Sequence, residues 1–78
     1  MKLDYTSIEL AVESLFSDNK ICQITISANN IIKFAIIGMS RTSTVKTFIG
    51  YYTPNQLLGL STQQIAEKVF DAYILDKI

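Results

Sequence analysis

Few residue types able to carry chemistry occur in this sequence, and their spacing brings none of them together. There is no histidine among the 78 residues, so the commonest general base and metal ligand is missing. The single cysteine, Cys22, lies in a strand-like run with no nearby base to make it a thiolate. It excludes an internal disulfide and a thiolate zinc site, and it fits a reducing compartment. Glu67 and Asp71 stand at i, i+4 with Lys68 beside them, which is an ordinary solvated helix face, and Asp76 is too far along to join them. Gly38, Gly50 and Gly59 are isolated, so no glycine-rich loop can cradle a phosphate. The expectation is a protein that is not an enzyme, with no catalytic residue, no cofactor and no metal site.

The most suggestive polar stretch is Ser40-Arg41-Thr42-Ser43-Thr44-Val45-Lys46, whose hydroxyls and two cations can hold phosphate oxygens or a partner's carboxylates. Its plainer explanation is that any hairpin loop is hydrophilic. Seven basic and seven acidic residues cancel, so the molecule has no net field to draw it to nucleic acid or to a membrane. Their distribution is uneven. No Asp or Glu occurs between Asp18 and Glu67, whereas Lys20, Lys33, Arg41 and Lys46 all lie in that interval. The middle of the chain is therefore mildly basic and its two ends mildly acidic.

The elements that position these groups follow from periodicity. Thr6-Ser7-Ile8-Glu9 has the pattern of a capping box, with Tyr5 and Leu10 as its staple. Behind it, Ile8, Ala11, Val12, Leu15 and Phe16 form one helical stripe that ends by Ser17-Asp18-Asn19. Lys20 to Ser27 alternates as a strand, and Ile31 to Met39 is apolar on both faces except at Lys33, as a central strand should be. A three-residue loop between them pairs Ile26 with Ile32, Ile24 with Phe34 and Cys22 with Ile36, which puts every large apolar side chain on one face. Thr44 to Tyr52 reads as a third strand. A four-residue loop before it sets Ile49 beside Phe34 and Tyr51 beside Ile32, on that same face. Thr53-Pro54-Asn55-Gln56 opens a short helix stopped by Gly59. Ser61-Thr62-Gln63-Gln64 caps a last helix with Ile65, Ala66, Val69, Phe70 and Tyr73 on its stripe. The expected fold is α+β, a single domain over 1–78 with the order α-β-β-β-α-α. Its core is a three-stranded antiparallel meander carrying an N-terminal and a C-terminal helix. The double-stranded-RNA-binding domain shares part of this order, but its phosphate grip is a lysine cluster opening the last helix. Here that place reads Ser61-Thr62-Gln63-Gln64.

The chain is 49% hydrophobic with a mean hydropathy of +0.27, high for a small chain that has little interior. Ile21, Ile31, Ala35, Ile37, Met39 and Phe48 then fall on the reverse face of the sheet. Three arrangements cover such a patch: helices on opposite faces, face-to-face dimerisation, or a partner. The charges at Asp4, Glu9 and Glu13 break any signal-peptide core, and no apolar run is long enough to span a bilayer, so a cytoplasmic protein is expected. Small chains without catalytic groups include regulators, inhibitors and phage-encoded antagonists of host defence, anti-CRISPR-type proteins among them. The function expected here is of that class: binding and blocking a larger protein partner, with a homodimer as the expected state. The contact residues expected are Lys33, Ile37, Met39, Arg41, Thr44, Lys46 and Phe48. The alternative is a nucleic-acid-binding module using the basic sheet and the 40–46 loop, and a third reading is a small-ligand site in a dimer cleft.

Overall fold

The computed structural model describes residues 4–16, 19–39 and 44–77. Three strands, β1 (Lys20–Ile26), β2 (Ile32–Met39) and β3 (Thr44–Tyr52), form one antiparallel sheet in the order β1-β2-β3. Helix α1 (Tyr5–Ser14) precedes them, and a single turn α2 (Pro54–Leu57) and the long helix α3 (Thr62–Lys77) follow. This is the α+β meander read from the sequence.

The first hairpin has the register that face-matching requires. Cys22, Ile24 and Ile26 stand opposite Ile36, Phe34 and Ile32. The loop of residues 28–30 closes with Ser27 N–H donating to the Ile31 carbonyl at 3.0 Å, and Asn30 takes the left-handed conformation at φ 60°. Core residues Ile8 and Val12 of α1 meet Cys22, Ile32, Phe34 and Ile36 of the sheet, together with Leu57, Ile65, Ala66 and Val69. An aromatic cluster extends this core. Phe16 meets Phe70 and Tyr73 edge-on at 5.1 and 5.0 Å, and Phe34 meets Tyr52 at 5.5 Å.

The second hairpin departs from expectation at one residue. Near the loop the pairs are Met39 with Thr44, Gly38 with Val45 and Ile37 with Lys46, as a four-residue loop demands. A bulge between Ile36 and Ile37 then leaves Thr47 as an extra residue, and the pairs become Ile36–Phe48, Phe34–Gly50 and Ile32–Tyr52. One inserted residue exchanges the two faces of the rest of β3. Phe48 and Tyr52 turn inward, whereas Ile49 and Tyr51 are 39% and 63% exposed on the outside. The cause is visible at Gly50. A Cβ there would lie 3.0 Å from the Phe48 ring and 3.4 Å from the Tyr52 ring, so the glycine lets two aromatic rings flank it on the core side.

Helix α1 begins two residues earlier than its sequence pattern suggests. Asp4 is the N-cap: its carboxylate accepts from Ser7 N–H at 3.2 Å and from the Ser7 hydroxyl at 2.8 Å. Those two hydrogen bonds hold the Asp4 carboxyl below its ordinary range. Thr6 is thus inside the helix, and Glu9 does not reach back to close a box. Glu9 goes elsewhere. Its carboxylate accepts from Ile24 N–H at 2.8 Å, and the Glu13 carboxylate accepts from Cys22 N–H at 2.9 Å. Because Ser27 is hydrogen-bonded to Ile31, alternation turns the N–H groups of Cys22 and Ile24 away from β2, toward the open edge of the sheet. Residues four apart on a helix rise about 6 Å, and residues two apart on a strand advance about 6.8 Å. The two spacings match closely enough for one helix face to serve both donors. On the opposite edge, the outward backbone groups of Ile49 and Tyr51 take no hydrogen-bond partner among the described residues.

The later caps fall where the sequence puts them. Gln56 Oε1 accepts from Thr53 N–H at 2.8 Å, and Gly59 terminates the turn with φ 84°. Ser61 and Gln64 close a reciprocal box, Gln64 N–H to Ser61 Oγ at 3.1 Å and Ser61 N–H to Gln64 Oε1 at 2.8 Å.

Two outcomes are expected in urea denaturation. Glu9→Ala and Glu13→Ala each cost about 1.5–3 kcal/mol, the scale of a charge-assisted hydrogen bond, whereas the exposed Glu67→Ala stays within about 0.5 kcal/mol of the parent. Equal effects at all three positions would contradict the edge contact. Gly50→Val should lower stability by about 1–3 kcal/mol by crowding the Phe48 and Tyr52 rings, and an unchanged midpoint would contradict the packing described for β3.

Candidate functional site

Both long helices pack on the same side of the sheet, as the shared core of α1, α3 and the β2 residues Ile32, Phe34 and Ile36 requires. Helices on opposite faces are therefore excluded as the cover for the reverse side. Along the strands that side carries Ile21, Gln23 and Thr25 on β1, then Lys33, Ala35 and Ile37 on β2, then Ile49 and Tyr51 on β3. Three rows run across it in register: Thr25–Lys33–Tyr51, Gln23–Ala35–Ile49 and, at the far end, Ile21–Ile37. Ala35 is sealed by its flanking rows at 2% exposure, while Ile21, Ile49 and Tyr51 are exposed. Among the described residues the face is apolar apart from Gln23, Thr25 and one cation, Lys33, which is half-buried on the centre strand.

The seven contact residues expected from the sequence divide into three groups. Lys33 and Ile37 lie on the reverse face, two rows apart. Met39 and Thr44 pair at the hairpin end and the Lys46 backbone pairs with Ile37, with the side chains of all three outside the described residues. Arg41, and with it the 40–43 stretch, also lies outside them. Phe48 is misplaced by the sequence reading: the bulge at Thr47 turns it to the core side, where its ring meets Tyr73 at 6.0 Å. Tyr51 makes the reverse exchange. Assigned to the core by its register, it stands exposed beside Lys33. The isolated Gly50 inside a strand pattern was the available signal for this inversion.

Among the described residues the face carries no thiol and no carboxylate. Cys22 is 3% exposed on the core side, and its thiol is pushed up to about 12, first by burial and then by the carboxylates of Glu9 and Glu13. It remains a protonated core residue, with none of the thiolate character that nucleophilic attack needs. Burial also raises Tyr52. Among the described residues no three metal-ligating side chains gather, and no helix is long and apolar enough to cross a membrane.

Comparison of the chain with protein-family models, with curated proteins and with solved structures finds no match. The surface must be interpreted from its own chemistry.

The Cys22 assignment sets a pH dependence. In the unfolded chain the thiol ionises near 9, while in the folded chain it holds its proton to about 12. The folded state thus binds the extra proton between those values, and stability falls as pH rises through that window. Cys22→Ala should flatten part of this alkaline loss in denaturation curves taken from pH 8 upward. A parent and variant with superimposable pH profiles would rule it out.

Proposed function

We propose that this protein acts by contact, seating a second protein against the reverse face of its sheet and covering part of that partner's surface. The observation that carries this reading is the one-sided placement of α1 and α3, which leaves Ile21, Ile37, Ile49 and Tyr51 without a covering layer among the described residues. Contiguous apolar area of this kind is seldom left facing water. The absence of any Asp or Glu on the three strands supports a partner with an acidic, apolar surface. Face-to-face packing of two copies brings lysine-bearing faces together with no carboxylate on either to offset them, which favours an unlike partner over a homodimer. Blocking needs no catalytic group, and inhibition by occlusion is the activity proposed.

A second reading, single-stranded nucleic acid, has one observation in its favour. The exposed Tyr51 ring beside Lys33 offers a base-stacking platform next to a cation. Affinity falling steeply with salt would support it, and no binding to DNA or RNA at low salt would end it.

Ile21→Glu and Ile49→Glu test the main reading, because both positions are partly exposed and the fold should survive them. Each is expected to weaken partner retention at least about tenfold with an unchanged unfolding midpoint. Leu10→Glu, on the exposed side of α1, is expected to retain the partner. Retention by the sheet variants, or loss in the helix variant, would place the contact elsewhere. Sedimentation at several concentrations separates the occupants: a mass that doubles with concentration assigns the face to a second copy.

A further inference from the structure

The reverse face is not uniformly flat. At the end nearest the first hairpin it dips into a hollow of about 360 Å³ lined by Thr25, Ile26, Ser27, Ile31, Lys33 and Tyr51. That volume is within the range of small-molecule sites. We propose that this hollow binds a small organic carboxylate with an apolar body.

The side chains around it carry one cation, three hydroxyls and no anion. Lys33 brings the only charge among the lining side chains, and an ammonium donates without accepting. Thr25 and Tyr51, its register neighbours on either side, bring a hydroxyl each. Ser27 brings a third, and its orientation is constrained. Ser27 Oγ already accepts from Asn29 N–H at 3.3 Å and from Ile31 N–H at 3.2 Å, so its lone pairs are engaged by the loop and its own proton is free to donate. One cation and three hydroxyls able to donate, with no carboxylate or amide side chain among the lining residues, favour an anion. Ile31, on the same side of the hairpin as Lys33, gives the hollow an apolar wall, which suits a hydrocarbon body and disfavours a fully hydrated ion such as phosphate. A single lysine matches a single negative charge. A monocarboxylate with an apolar body satisfies these conditions of charge and polarity and is small enough to enter the hollow.

This site can exist whether or not the rest of the face seats a protein, and its test uses the chain alone. Amide spectra of the ¹⁵N-labelled protein are recorded against 4-methylpentanoate, against the neutral 4-methylpentanamide and against inorganic phosphate. The expected result is saturable shifts at Thr25, Ser27, Ile31, Lys33 and Tyr51 with a Kd at or below about 10 mM for the carboxylate. The amide should bind at least about tenfold more weakly, as should phosphate. Lys33→Met should cost the carboxylate about tenfold or more. Thr25→Val, which keeps the shape and removes one donor, should cost about two- to tenfold. Absence of saturation, equal shifts from the amide or from phosphate, or full binding by a folded Lys33→Met protein would each overturn the proposal. If Lys33→Met fails to fold, Thr25→Val and the amide comparison still decide it.

Discussion

Two carboxylates fasten the first helix to the sheet. Glu9 and Glu13 take the outward N–H groups of Ile24 and Cys22, and this contact settles where α1 can lie. It places the stripe of Ile8 and Val12 over the core face of β1 and β2, against which α3 then packs. It also satisfies backbone donors that an edge strand otherwise presents to solvent or to another chain. The arrangement joins two roles in one face of a helix, since adjacent positions supply the apolar packing and the polar closure. With both helices committed to that side, the opposite side of a three-stranded sheet has nothing left in the described chain to cover it.

The first hairpin was legible because a wrong register is expensive. A slip of one residue between β1 and β2 sets Ile26 against Lys33 and sends half of the large apolar side chains outward, so composition alone picks the pairing. The carboxylate contacts were not legible. Glu9 is three residues beyond Thr6 and fits a local box, and only the tertiary position of α1 beside β1 gives it a stronger acceptor role. Local pattern and long-range geometry competed, and geometry won. Asp4 took the capping role instead.

The third strand shows a different limit. Its loop length, read from Met39 and Thr44, was right, yet the inserted Thr47 overturned the faces a few residues later. Alternation is an exact rule only while the ladder is unbroken, and Phe48-Ile49-Gly50-Tyr51-Tyr52 is apolar or aromatic on both parities. Burying Phe48 and Tyr52 around Gly50 gains two large rings for the core, where the alternative register offers Ile49 and Tyr51. The candidate surface changed with it. Lys33 and Ile37 stayed, Phe48 left, and Tyr51 arrived beside Lys33, which is how the hollow at the hairpin end came to have its aromatic hydroxyl.

The two margins of the sheet are chemically unlike, and this bears on how the protein can misassemble. β1 is closed in its middle by the glutamates, whereas the outward backbone groups of Ile49 and Tyr51 on β3 have no partner among the described residues. Fibrils grow when every added copy offers a fresh edge equivalent to the one it consumed. Here a copy that docks through β3 spends its own β3 and offers only a stoppered β1. Edge-to-edge addition in this fold is self-terminating at two chains, so a nine-residue outer strand is tolerated without the risk of an endless sheet.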